Sequence, residues 1–191
     1  MKKTILTSFL ACMIFSMNIS AQETNSSEKF GKTVNLGLGL GGYSGYYGYV
    51  GRTMPVLHAD YEIDAAKCFT LAPFINFYSY KNVYYWGDKN HPYKNYYYSE
   101  TVIPVGVKGT YYFDKLLEAS SNWDFYLAGS LGFAIVNSSW DNDYYGDKDY
   151  YHNGNPLFLD LHLGAEYHIS GRIGMFLDLS TGVSTIGLAI H

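Results

Sequence analysis

From Val34 to Leu40 the chain places a large aliphatic residue at every second position, with Asn35, Gly37 and Gly39 between them. A strand turns successive side chains to opposite faces, so this spacing gives one apolar face and one small or polar face. The same period returns in seven further segments. Leu57, Ala59, Tyr61 and Ile63 alternate with His58, Asp60 and Glu62. Phe69, Leu71, Ile75 and Phe77 alternate with Thr70, Ala72 and Asn76, and Ile103, Val105, Val107, Tyr111 and Phe113 with Gly106, Lys108, Thr110 and Tyr112. Phe125, Leu127, Leu131, Phe133 and Ile135 oppose Tyr126, Ala128, Ser130, Gly132 and Ala134. Leu157, Leu159, Leu161, Leu163 and Ala165 oppose Phe158, Asp160, His162, Gly164 and Glu166. The last two runs are Ile173–Ser180 and Val183–Ile190, the second with Ile186, Leu188 and Ile190 outward.

Eight strands follow, each about long enough to cross a bilayer at a tilt, which takes roughly 9–11 residues. Alternation alone does not separate a soluble barrel from a membrane one. The composition of the faces does. The large face is aliphatic or aromatic and nearly free of charge, whereas the small face carries Gly, Ala, Ser, His, Asp, Glu and Lys. A charge on a lipid-facing position at mid-depth costs about 2–4 kcal/mol, so a bilayer demands this partition. Link lengths point the same way. Residues 42–53, 81–99 and 137–155 read as long polar loops, and 64–68, 114–122 and 170–172 as short links. Such barrels have short periplasmic turns and longer external loops, with both termini periplasmic. Thr181-Gly182 is the exception, a short link on the long-loop side.

The amino-terminal residues place the chain in an export pathway. Lys2 and Lys3 precede an apolar run from Ile5 to Phe15, and Ile19-Ser20-Ala21 offers small residues for cleavage. This is the layout of a secretory signal peptide over residues 1–21, with an apolar run too short for a spanning helix. Lipidation at Cys12 is disfavoured, because the apolar stretch before it is very short and Phe9 fits poorly. The expected mature chain has a short flexible segment, 22–33, and a barrel domain, 34–191. It keeps 11 Lys and Arg against 17 Asp and Glu, a net charge of −6. Nucleic acid is therefore excluded as a partner. Cys68 is then the one remaining cysteine, so no internal disulfide forms.

The run Ile103-Pro104-Val105-Gly106-Val107-Lys108-Gly109-Thr110-Tyr111-Tyr112-Phe113, with Leu163-Gly164-Ala165-Glu166-Tyr167 and Ile186-Gly187-Leu188-Ala189-Ile190, carries a resemblance. Across nearly its whole mature length the chain resembles the small eight-stranded outer-membrane barrels of the opacity, porin-like and outer-membrane-protein-X type. The resemblance implies an antiparallel up-and-down transmembrane β-barrel in the outer membrane of a Gram-negative bacterium. Its partners would be outer-membrane lipid and lipopolysaccharide, with the barrel assembly machinery during biogenesis. Such barrels commonly end on an aromatic residue that this machinery reads; here the position holds His191.

Two groups of residues are candidates for function. The first is aromatic. Sixteen of the 21 tyrosines lie in or beside the three long links, and Tyr46, Tyr47, Tyr84, Tyr85, Trp86, Tyr93, Trp140, Tyr144, Tyr145 and Tyr150 are candidate ligand-binding residues. Tyrosine combines large contact area, few rotatable bonds and a hydroxyl, which suits recognition of a glycan or a protein. An interfacial aromatic girdle is the competing reading, and fits Tyr78, Tyr80, Tyr97 and Tyr98 at strand ends. The second group faces the lumen: His58, Asp60, Glu62, Lys108, Asp160, His162, Glu166 and Asp178, with His168 beside them. An acid–base role competes here with a structural hydrogen-bonded network, and the network is favoured. Asp141, Asp143, Asp147 and Asp149 form an acidic loop without the spacing of a calcium loop. No metal, cofactor or catalytic residue is expected. One enzymatic alternative remains, since some small outer-membrane barrels are lipid A acyl hydrolases with a His-x-Ser pair. His168-Ile169-Ser170 has that spacing, but abuts a turn on the periplasmic side. Eight strands leave a lumen just wide enough for side chains, so a diffusion channel is not expected.

Overall fold

The computed structural model describes residues 30–41, 54–117, 120–148 and 156–191. The expected signal peptide and Tyr46, Tyr47 and Tyr150 lie outside the described residues. Eight strands run in chain order: β1 Thr33–Gly41, β2 Met54–Ala66, β3 Phe69–Trp86, β4 Lys94–Tyr112, β5 Trp123–Trp140, β6 Leu157–Ser170, β7 Ile173–Ser180 and β8 Val183–Ile190. Every neighbour pair is antiparallel, and β1 closes the sheet by pairing with β8, Val34 opposite Ile190. Within the spanning band closure leaves no free strand edge, which is what a bilayer requires of a sheet.

The two-residue period decides which side chain faces where. Leu38, Leu57, Ile75, Leu131, Leu161, Leu177 and Ile186 all point outward and are exposed. From Phe69 to Phe77 on β3, Ile103 to Tyr111 on β4 and Phe125 to Ile135 on β5, no outward position carries a charge. Outward residues then turn polar together, at Ser79 and Lys81, at Thr101 and Ser99, and at Asn137 and Ser139. This crossover is the upper edge of the spanning band. At the lower edge stand exposed Tyr61, Tyr111, Trp123 and Tyr167, with Trp123 4.9 Å from Tyr167, an interfacial aromatic ring.

Inside, large and small residues complement one another. The Tyr126 ring lies over Gly164, where a Cβ would sit 2.1 Å from it. Tyr112, Tyr126 and Phe30 close the lower lumen, Phe30 stacking on Tyr112 at 4.0 Å. Val56, Phe74, Tyr78, Val102, Ala134 and Val183 form an apolar layer higher up. Phe30 falls in the segment that precedes the first alternating run. It is held there because Asp64 accepts hydrogen bonds from the amides of Phe30 (3.0 Å) and Gly31 (2.8 Å).

The largest departure from the sequence reading lies at 81–99. It is not a loop: β3 continues to Trp86 and β4 begins at Lys94, leaving a seven-residue tip, 87–93. Val83, Tyr84, Tyr85 and Trp86 pair with Tyr97, Tyr96, Asn95 and Lys94 across the hairpin. Aromatic and β-branched cross-strand pairs stabilise such a ladder, and the polarity of Lys81 and Asp88 is tolerated because it stands above the band. β5 likewise continues to Trp140, opposite Tyr98. Strands β3, β4 and β5 thus rise above the band as a three-stranded wall. The short link 181–182 has a local cause: Asp160 accepts hydrogen bonds from Thr181 Oγ1 (2.6 Å), Ser180 Oγ (2.9 Å) and the Val183 amide (3.1 Å).

Candidate functional site

The lumen residues form two connected networks. In the first, Lys108 donates to Asp60 at 2.5 Å, and Asn35 donates to Asp60 (2.8 Å) and Glu62 (3.2 Å). Glu62 also accepts from Tyr112 (2.6 Å) and Thr70 (3.0 Å), while His58 bridges Asp60 (3.0 Å) and Asn76 (2.6 Å). In the second, His162 lies between Asp178 (2.7 Å) and Ser130 (2.8 Å), and Tyr126 donates to Asp178 at 3.1 Å. A small cavity separates the networks, lined by His58, Asn76, Ser130, His162 and Asp178 among others. Each buried carboxylate has its own set of donors, as buried charges require. The eight residues picked from sequence all face the lumen. Seven fall into these two networks, counting Asp160 through its 3.8 Å approach to His162. Glu166 lies lower, at the mouth beside the short turns, within 2.8 Å of His191.

His168 and Ser170 do not act together. His168 Nε2 lies 2.7 Å from Asp124, and the Ser170 hydroxyl accepts from the amides of Arg172 and Ile173 in the turn. The bulge between His168 and Ser170 breaks the alternation that a His-x-Ser pair would need to share a face.

Above the band, the inner side of the three-stranded wall carries an aromatic cluster. Tyr144, 3 % exposed, is its hub: its ring lies 4.2 Å from Trp140, 5.2 Å from Tyr96, 5.3 Å from Trp86 and 6.1 Å from Tyr84. Tyr98 joins through Trp140 at 4.7 Å and donates a hydrogen bond to Glu100. Glu100 is buried just above the crossover, and burial pushes its carboxyl up to about 7. Gly146 makes the close approach possible, since a Cβ there would lie 2.5 Å from the Tyr144 hydroxyl and 2.9 Å from Trp86. Two residues of the acidic loop dock on the wall, Asp141 accepting from the Tyr97 amide at 2.8 Å and Asp143 pairing with Lys94, while Asp149 lies outside the described residues. Lys94 holds the Asp143 carboxyl below its ordinary value, and Asp143 raises the Lys94 ammonium. At the tip, Asp88 accepts from the amides of Asn90 (2.7 Å) and His91 (2.8 Å), which lowers its carboxyl.

The aromatic candidates therefore divide. Tyr84, Trp86, Trp140 and Tyr144 are packed into the cluster. Tyr85, Tyr93 and Tyr145 are 65 %, 65 % and 68 % exposed. Tyr85 lies 5.8 Å from Tyr93, and Tyr145 stacks on His91 at 4.6 Å. His91 was not singled out from sequence, where nothing marks it. Tyr78 and Tyr98 are not girdle residues. Both point inward and are buried, because the outward positions beside them belong to Phe77 and Tyr97.

A closed eight-strand register, an uncharged apolar exterior and a filled polar interior define a transmembrane β-barrel. No family model matches the chain, and no curated protein matches it in sequence. Solved structures similar to it include a de novo designed transmembrane β-barrel, at 12% identity and TM-score 0.46, covering 86% of this chain and 98% of that one. Another is Neisserial surface protein A, at 15% identity and TM-score 0.45, covering 83% and 94%. A third is Ail, the attachment invasion locus protein of Yersinia pestis, in complex with the heparin analogue sucrose octasulfate. It has 7% identity and TM-score 0.41, covering 83% and 94%. Likenesses this distant decide nothing about ligand or partner, and the fold stands on the strand register.

Proposed function

We propose that this chain is a non-enzymatic surface barrel of a Gram-negative outer membrane, whose raised β3–β4 hairpin binds a glycan or a protein. The observation that carries the reading is the division of the aromatic tier. Tyr85, Tyr93 and Tyr145 are exposed, while Tyr84, Trp86, Trp140 and Tyr144 are spent on holding the wall rigid. A rigid aromatic platform loses little conformational entropy on binding, which is how recognition surfaces gain affinity. In this reading residues 1–21 are removed on export, the barrel assembly machinery inserts the chain, and both termini are periplasmic. The apolar band faces lipid, with lipopolysaccharide in the outer leaflet. No catalytic residue is assigned.

The experiment compares adhesion of cells displaying the native chain with cells displaying Tyr85→Ser, Tyr93→Ser and Tyr145→Ser together, on arrays of immobilised glycans and matrix proteins. Because these side chains are exposed, surface levels should match. Loss of a binding signal in the triple variant supports the reading, and an unchanged binding profile overturns it.

A further inference from the structure

Beyond the hairpin, the opposite mouth of the barrel gathers three side chains that neither the lumen networks nor the aromatic tier uses. Glu166 and His168 are alternate residues of β6, and His191 directly follows β8. Glu166 Oε1 lies 3.8 Å from His168 Nδ1 and 2.8 Å from His191 Nε2, and one ligand atom from each residue lies within 4.8 Å of the others. We propose that these three residues form a binding site for a divalent transition metal of the zinc class.

The hydrogen bonds around the cluster fix which atoms are turned toward the ion. Thr33 gives its hydroxyl proton to the Phe30 carbonyl at 2.9 Å. It therefore accepts from His191 Nδ1–H, also at 2.9 Å, and this turns Nε2 toward Glu166 Oε1 at 2.8 Å, where the two share a proton that a bound metal would displace. Asp124 accepts from His168 Nε2–H at 2.7 Å, which leaves the Nδ1 lone pair on the same side, 3.8 Å from Glu166 Oε1. Two imidazole nitrogens and a carboxylate oxygen thus converge. In a tetrahedral zinc site with ordinary bond lengths, ligand atoms stand about 3.3 Å apart, between the 2.8 and 3.8 Å seen here.

Two further features suit a metal. A ligating histidine normally donates its other ring N–H to a carboxylate or oxygen, and Asp124 and Thr33 fill those roles. Gly174 makes room for the carboxylate, since a Cβ there would lie 1.9 Å from Glu166 Oε1. His168 and His191 are partly exposed, which opens a route for the ion and leaves a fourth position for water. Bound there, the ion would tie β6 to the residue that follows β8, on the far side of β7.

The test uses the full chain folded in detergent, with zinc sulfate alone as the probe, and equilibrium dialysis followed by metal analysis. The native barrel should bind one zinc. His168→Ala and His191→Ala should each weaken binding at least ~10-fold, and Asp124→Asn by ~10-fold through the ligand it orients. His91→Ala, at the exposed tip, should bind as the native chain does. The difference in gel mobility between unheated and boiled samples verifies that each variant is folded. Visible absorption of tetrahedral cobalt(II) in the native barrel reports the site without any substitution. An absence of bound zinc and of that cobalt spectrum overturns the proposal, as does equal zinc binding by the native chain and a folded His168→Ala, His191→Ala double variant.

Discussion

The two ends of the barrel are built on opposite principles. At the lower end and through the lumen, the residues that meet are distant in sequence. Lys108 reaches Asp60 from 48 residues away and Tyr126 reaches Asp178 from 52. At the upper end the aromatic cluster also joins residues distant in sequence, Tyr84 and Tyr96 to Tyr144 and Tyr98 to Trp140, but it draws only on β3, β4, β5 and the residues that follow β5. The lumen is set by register, because closure of the sheet alone decides which polar residues share a level. The upper tier is set by local packing outside the membrane, where either face of a strand can be wet. The lower end should therefore fail with the whole barrel, and the upper end by itself.

The largest effect should come from Lys108→Ala. It leaves Asp60 buried without its cation, and breaking a buried pair from one side costs about 3–5 kcal/mol. Urea unfolding of the barrel in lipid vesicles measures this, and adding Asp60→Asn should recover part of the loss. Next is Leu161→Lys, near the middle of the outer band, with an expected cost of about 2–4 kcal/mol in the same assay. Leu161 contributes to neither lumen network, so a full loss there shows that the exterior faces lipid. Tyr144→Ala should behave differently. It removes a hub whose ring pairs are each worth about 0.5–1.5 kcal/mol, so the wall loosens while the barrel stays closed. Protease cleavage within 87–93 should accelerate with no change in urea midpoint. If the midpoint falls as well, the two ends are not independent.

The smallest effect concerns acidity. The Glu100 carboxyl is raised from its ordinary value of 4.5 to about 7, so the folded tier favours the protonated form. Its contribution is fully present below pH 4.5 and is lost as pH rises through about 7. Protease protection of the hairpin should decline over that window. Glu100→Gln should flatten the pH dependence, and a decline that persists in this variant would assign it to another group.

The same contrast explains what could be read from the chain. A period of two assigns a side without any knowledge of neighbours, so the outward leucines and the inward Asp60, Glu62, Lys108, Asp160 and Asp178 were legible. Their partners were not, because hydrogen bonding depends on register across strands. The hairpin was misread because Lys81, Asn82, Asp88, Lys89 and Asn90 look like loop, while its stability comes from inward Tyr84, Trp86, Tyr96 and Tyr98 meeting Tyr144. Continuing the alternation would have flagged these four as one face. The grouping of Glu166, His168 and His191 was hidden for a related reason. Alternation turns each inward, yet they meet only because the β6–β7 and β7–β8 hairpins carry His191 back beside β6.

The most direct test of two ends on opposite sides of a membrane is labelling with a membrane-impermeant maleimide in intact cells. Tyr145→Cys at the tier and Lys67→Cys at a short turn would each be placed in a chain carrying Cys12→Ser and Cys68→Ser. The account predicts that Tyr145→Cys labels in intact cells and Lys67→Cys only after permeabilisation. Equal labelling of both, or labelling of the turn alone, would contradict it.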